Sequence, residues 1–140
     1  MRTSARAVIV ENGKLLTMFR HKEKDGKIKE CYVIPGGGQD VGEALEDTVK
    51  RELKEEMNVD IKVLRYLGKR EDDETCAHYF HCEILSGVPT LGGEELDRMS
   101  NANYYEPRFV HLSDIEKLDM NGKEFVEMVT QNINAKQTEK

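Results

Sequence analysis

"PGGGQDVGEALEDTVKRELKEEMNV", residues 35–59, runs from a turn of consecutive glycines into a stretch where carboxylates crowd together. Leu45, Val49, Leu53 and Met57 recur every fourth residue, which predicts a helix over 43–57 with one apolar stripe. At 3.6 residues per turn, Glu52, Glu55 and Glu56 fall within roughly 100° of one another, on a stripe that borders this seam. Glu43, Asp47, Lys50 and Lys54 fall on the far side, toward water. Such a row of acids is unfavourable by itself. Like charges three and four apart on a helix repel by about 0.2–0.5 kcal/mol per pair. Glu55 and Glu56 also stand near the helix C-terminus, where the dipole disfavours anions by about 0.3–1 kcal/mol each. A hard divalent cation reverses the sign of both effects, and Mg²⁺ in particular binds through a few carboxylates together with substrate phosphates. The preceding glycines leave backbone N–H and C=O groups open to a ligand. Metal-dependent phosphate chemistry is one expectation from this stretch, and an ordinary solvated acidic face is the other.

The rest of the chain bounds the reading. Its 140 residues and net charge of −6 fit one domain spanning 1–140, with one sizeable core. With 34% charged and 38% hydrophobic residues, the composition is that of a water-soluble globular protein. The early apolar run at 7–10 is too short for a signal-peptide core or a membrane span, so a cytoplasmic location with no membrane partner is expected. Cys31, Cys76 and Cys82 are odd in number and contain no CxxC pair, which argues against a disulfide framework. The acidic balance weighs against nucleic acid as a partner, because sequence-independent binding needs a basic surface.

Around the glycine-helix stretch the elements read as strands. Asn12-Gly13 is a two-residue hairpin signal between strands at 5–10 and 15–20. Residues 21–30 read as a polar connection and "CYVI" as a short strand running into Pro35. Two further strands are expected at 61–71 and 75–85, with a charged turn at 72–74. Residues 86–106 read as a long surface loop. "RFVHL" is a last short strand, Ser113 with Glu116 resembles a capping box, and Asn121 with Glu124 opens a terminal helix carrying Phe125, Val126, Met128 and Val129. Residues 136–140 read as a frayed tail. The order predicts an α/β fold, a mixed sheet covered by helices.

The stretch at 37–59 also resembles the signature of the Nudix hydrolases. In that signature a glycine is followed after five residues by Glu, then after seven more by Arg-Glu-aliphatic-x-Glu-Glu-x-Gly-aliphatic. Gly37, Glu43, Arg51, Glu52, Leu53, Glu55, Glu56 and Val59 stand in register, and Tyr32 precedes Pro-Gly-Gly as an aromatic does in many members. Asn58 replaces the last glycine. Asn is the next-best residue in a left-handed helix C-cap, so the turn is expected to survive.

The resemblance implies a three-layer α/β/α sandwich and hydrolysis of a nucleoside diphosphate linked to another moiety. It implies that Glu52, Glu55 and Glu56, with the Gly37 carbonyl, hold one or more Mg²⁺ or Mn²⁺ ions. These would neutralise phosphate charge and lower the pKa of a water. Arg51 and Glu43 would fix the loop and orient the acids. Glu55 or Glu56 would accept the proton, with Glu94 and Glu95 of the long loop as rivals. A homodimer is left open. The alternatives are a nucleotide-binding or regulatory module without turnover, and isopentenyl diphosphate isomerisation on the same fold.

Other residues invite plainer readings. Cys76, His78 and Cys82 share one face of a strand while His81 points away, without the close pairs of a zinc knuckle. Tyr104 and Tyr105 either stack a base or pack against neighbours. Arg20, Lys22, Lys69 and Arg70 either hold phosphates or are solvated strand ends.

Overall fold

The computed structural model describes residues 1–92 and 99–138. Alternation in the first strand, β1 (Arg2–Val8), sets up the layers. Ala5 and Ala7, with Ile9 just beyond, face one core, whereas Val8 and Val10 face another. β2 (Val10–Glu11) turns at Asn12-Gly13 into β3 (Lys14–Lys24). Both turn residues have positive φ, 53° and 73°, as a two-residue hairpin turn requires.

Residues 21–30 are not a connection. β3 continues to Lys24, a second two-residue turn forms at Asp25-Gly26 (φ 54° and 76°), and β4 (Lys27–Val33) returns antiparallel, with Lys24 opposite Lys27. The hairpin is solvent-exposed at its tip, Ile28 included, so burial imposes no alternation there, and the Asp-Gly pair is its local mark. β5 (Gly36–Gly38) follows, then the helix α1 (Leu45–Met57). α1 starts two residues later than its periodicity predicts.

β6 (Asp60–Glu71) and β7 (Thr75–Ser86) form the expected long hairpin. β8 (Asn103–His111) begins well before "RFVHL", and pairs along β3 from Asn103↔Lys22 to His111↔Lys14. A 3-10 helix, Leu112–Lys117, is preceded by His111 and has no side-chain cap, so Ser113 lies inside its first turn and the capping box does not form. The terminal helix α2 spans Lys123–Thr138.

Among the described residues the strands form two sheets. The first is mixed, ordered β5-β1-β7-β6, with β1 and β7 parallel; the second is antiparallel, with β3 flanked by β2 and β4 on one side and β8 on the other. The Leu16 N–H donates to Ile9 O at 2.9 Å and ties them together.

Helices cover the two faces. Val49, Leu53 and Met57 of α1 pack on Ala5, Ala7, Leu16, Met18 and Phe80. Val126, Val129 and Ile133 of α2 pack on Val8, Leu15, Ile34 and Tyr79 opposite. The architecture is α/β with helices on both sides. Among the described residues no helix is long and apolar enough to cross a membrane.

Candidate active site

α1 carries its acids toward β5. Glu46 and Asp47 sit in the first turn, where they complement the helix dipole. The helix ends at Asn58, which adopts φ 59° and ψ 38° and donates its N–H to Lys54 O at 3.0 Å. Asn thus supplies the left-handed turn for which glycine is the commoner choice. Residues 90–92 then run back against this end. The Thr90 N–H donates to Met57 O at 2.9 Å and the Gly92 N–H to Glu56 O at 3.1 Å, satisfying carbonyls that a helix end leaves open. Glu94 and Glu95 lie outside the described residues.

Arg51 is the hub of the acids. Its Nε and Nη2 donate to the two oxygens of Glu43 at 2.8 and 3.0 Å, and Nη2 also reaches Gly38 O at 2.9 Å. Its Nη1 donates to Glu52 at 2.9 Å and Glu55 at 3.3 Å. Glu43 is not on a solvated face. It is half-buried and also accepts from Thr48 Oγ1 at 2.6 Å and the Asp40 N–H at 3.1 Å. Its hydrogen bond from Arg51, then that from Thr48, lower its pKa to about 2. One ion-paired carboxylate thereby fastens the glycine-rich loop to the helix.

Glu56 is placed differently. Burial is the largest influence on it and raises its pKa to about 7, against the pull of Arg6, the Gly36 N–H and Arg20. That N–H donates to Glu56 Oε2 at 3.4 Å. Gly37 lies against Glu52 so closely that an added Cβ would overlap the carboxylate. These are hard oxygen donors beside bare backbone, and that chemistry suits a divalent cation. Among the described residues, however, no three His, Cys, Asp or Glu side chains converge into a ready-made cage. Arg51 Nη1 stands between Glu52 and Glu55 and supplies the positive charge there. A metal ion would have to take these oxygens from it.

Across β5 from the acids lies a cavity of about 680 Å³. Four of its lining residues are arginines: Arg2, Arg6, Arg20 and Arg70. Two of these, Arg20 and Arg70, are among the cations singled out in the sequence. Lys69 instead pairs with Glu71 at 3.3 Å. Arg2 and Arg6 carry no functional reading in the sequence, where the first strand is expected at 5–10; the alternation along "RTSARAV" is a signal that could have found them.

The tyrosines pack. Tyr104 stacks on His21 with ring centroids 4.7 Å apart, and Tyr105 lies under Arg20 at 5.3 Å. Cys76 and His78 face each other at 3.4 Å, and His78 meets Tyr66 OH at 2.8 Å.

The model of the NUDIX domain matches residues 1–129, and the chain belongs to this family. It is 31% identical over 111 residues to an ADP-ribose pyrophosphatase of Methanocaldococcus jannaschii, covering 79% of the chain and 62% of that relative. A NAD-capped RNA hydrolase of Pectobacterium carotovorum is 36% identical over 63 residues, 45% of the chain and 23% of that protein. The chain thus spans less than two thirds of the curated relatives it matches. A crystal structure of a MutT NUDIX hydrolase from Burkholderia pseudomallei superposes with a TM-score of 0.68 at 20% identity, over 91% of this chain and 95% of that one, and shows the same fold.

Proposed function

We propose that the protein is a pyrophosphohydrolase of nucleoside diphosphate derivatives. Water adds to one phosphorus, the bridging P–O bond breaks, and the departing phosphate keeps the bridging oxygen. One observation carries the reading: the carboxylate row of α1 and the arginine-lined cavity meet across the single glycine strand β5. ADP-ribose, in the name of the M. jannaschii relative, is a compound of this class.

Glu52, Glu55, Glu56 and the Gly37 carbonyl are the residues that would hold Mg²⁺ or Mn²⁺. When bound, such an ion neutralises phosphate charge and lowers the pKa of water. Arg51, fixed by Glu43, orients Glu52 and Glu55. Glu55 or Glu56 accepts the proton released by the attacking water, and Arg6 and Arg20, whose charges act on Glu56 from the cavity side, hold the diphosphate.

The test is product release from a panel of nucleoside diphosphate derivatives, with and without Mg²⁺, for the wild type, Glu52→Gln and Glu56→Gln. Turnover that needs the ion and falls at least about 100-fold in both folded variants is expected. Full turnover by a folded Glu56→Gln protein would remove Glu56 from the machinery. Tight nucleotide binding without turnover on any panel member would favour a binding module.

A further inference from the structure

The cavity's floor and rim follow from strand register. β1 pairs with β7 as Arg2↔Thr75, Ser4↔Ala77 and Arg6↔Tyr79, and Arg70 of β6 stands opposite Ala77. All these residues share the face of the sheet that carries Val8 and Tyr79 under α2. Ser4, Ala77 and the β5 glycines are small, so they make a floor. The arginines stand around it.

These arginines act on nearby carboxylates through charge at a distance, Arg6 and Arg20 on Glu56 and Arg70 on Asp72. Among the described residues, none of the four makes an ion pair, in contrast to Arg51 and Arg108. The Arg6 guanidinium donates to backbone carbonyls, Ile34 O at 3.1 Å and Gly36 O at 3.4 Å. That of Arg70 lies over Gly122 so closely that an added Cβ would overlap it. The acids on the rim have closer partners of their own, although Asp72 also feels the charge of Arg70. Asp72 accepts from the Glu74 and Thr75 N–H groups at 2.9 and 2.8 Å, and Glu71 pairs with Lys69. A protein of net charge −6 has thus gathered four of its arginines, and no lysine, around one cavity. Planar forked donors of this kind suit phosphate oxygens in particular.

The four fall into two pairs. Arg6 and Arg20 are the pair that act on Glu56. Arg2 and Arg70 stand toward the β6–β7 turn, on the strands either side of β7. Arg2 is four residues along β1 from Arg6, about 13 Å at ~3.3 Å per residue. Attachment points that far apart on the strand allow the two pairs to engage two separate anionic groups.

We propose that Arg2 and Arg70 form a second anion subsite, which takes a phosphate on the moiety that the diphosphate links to the nucleoside. The proposal rests on the pyrophosphohydrolase reading for the orientation of the substrate, and it narrows the substrate class to derivatives with charge at both ends of the cleft.

Two probes test it: ADP-ribose, and ADP-ribose carrying an added phosphate on the distal ribose. Each is titrated calorimetrically into the wild type, the Arg2→Ala/Arg70→Ala double variant and Arg70→Lys without divalent ion, and kcat/KM is measured with Mg²⁺. The added phosphate is expected to tighten wild-type binding about 10–100-fold, as charge-assisted hydrogen bonds do, and to act on KM rather than kcat. The double variant loses that ratio; Arg70→Lys, which keeps the charge without the fork, retains part of it. Equal wild-type affinities, no binding of either probe, or a ratio that survives in the double variant would overturn the subsite. The two readings separate cleanly. Hydrolysis of both probes at equal kcat/KM retains the hydrolase and removes the subsite. Binding in the expected ratio without hydrolysis does the reverse.

Discussion

The arginine of α1 and the arginines of the cavity stand on opposite sides of one glycine strand and are held in opposite ways. Arg51 spends all its donors on Glu43, Glu52, Glu55 and the Gly38 carbonyl. Arg2 and Arg70 have no such partners among the described residues. A cation with every donor satisfied inside the fold contributes to that fold. One without a close ion-pair partner, beside others like it, repels its neighbours and gains when an anion arrives. The same residue type is therefore structural on one side of β5 and ligand-directed on the other.

The sharpest way to break this division is at β5 itself, where neighbouring glycines face different surroundings. Gly37 leaves no space for a Cβ beside the Glu52 carboxylate, whereas at Gly38 a Cβ would meet nothing within 4 Å. Gly37→Ala is expected to displace Glu52 and lower kcat about 100-fold, the cost of a displacement near 1 Å in a catalytic group. Gly38→Ala should retain turnover. Steady-state kinetics on the same substrate compares them, and equal losses would show that the strand, not the carboxylate, is what the substitution disturbs.

The next effect is on stability. Arg51→Ala removes the principal donor to Glu43 and is expected to lower the urea midpoint clearly more than loss of either cavity arginine. Arg2→Ala and Arg70→Ala should each stay within about 0.5 kcal/mol of the wild type. Urea unfolding midpoints decide this. A large loss at Arg70 would mean that its packing over Gly122 matters more to the fold than its charge.

How far this division was legible in the sequence depends on the range of the signals. The acid row was readable because helix periodicity places Glu52, Glu55 and Glu56 together within two turns, and the family signature fixed Arg51 and Glu43 beside them. Arg2 and Arg6 lay outside every functional reading of the sequence, because an alternating strand offers two faces without showing which one meets β6. Bringing Arg2, Arg6 and Arg70 to one floor takes a parallel β1–β7 pairing across some seventy residues, and nothing local encodes that. Glu43 was misplaced for a related reason. Periodicity assumes it lies on the helix, whereas the chain turns before Leu45 and folds its carboxylate under Arg51. The β3–β4 hairpin was missed because its tip buries nothing, so no apolar period marks it.

That hairpin carries a third charged network, and it yields the smallest expected effect. His21 is 7% exposed, stacks on Tyr104, and has Glu30 at 2.7 Å on Nδ1 and Glu23 at 3.0 Å on Nε2. Unlike Arg51, its cation is conditional on pH. Hydrogen bonds to Glu30, then Glu23, raise its pKa above the ordinary 6.5. Because the folded value is the higher one, the stabilisation is whole below pH 6.5 and fades as pH rises through the raised value. His21→Gln is therefore expected to lower the urea midpoint most at about pH 6 and least at about pH 9. A deficit that stays constant across that range would assign the role of His21 to its stacking on Tyr104, and would leave Arg51 as the charged anchor of the two.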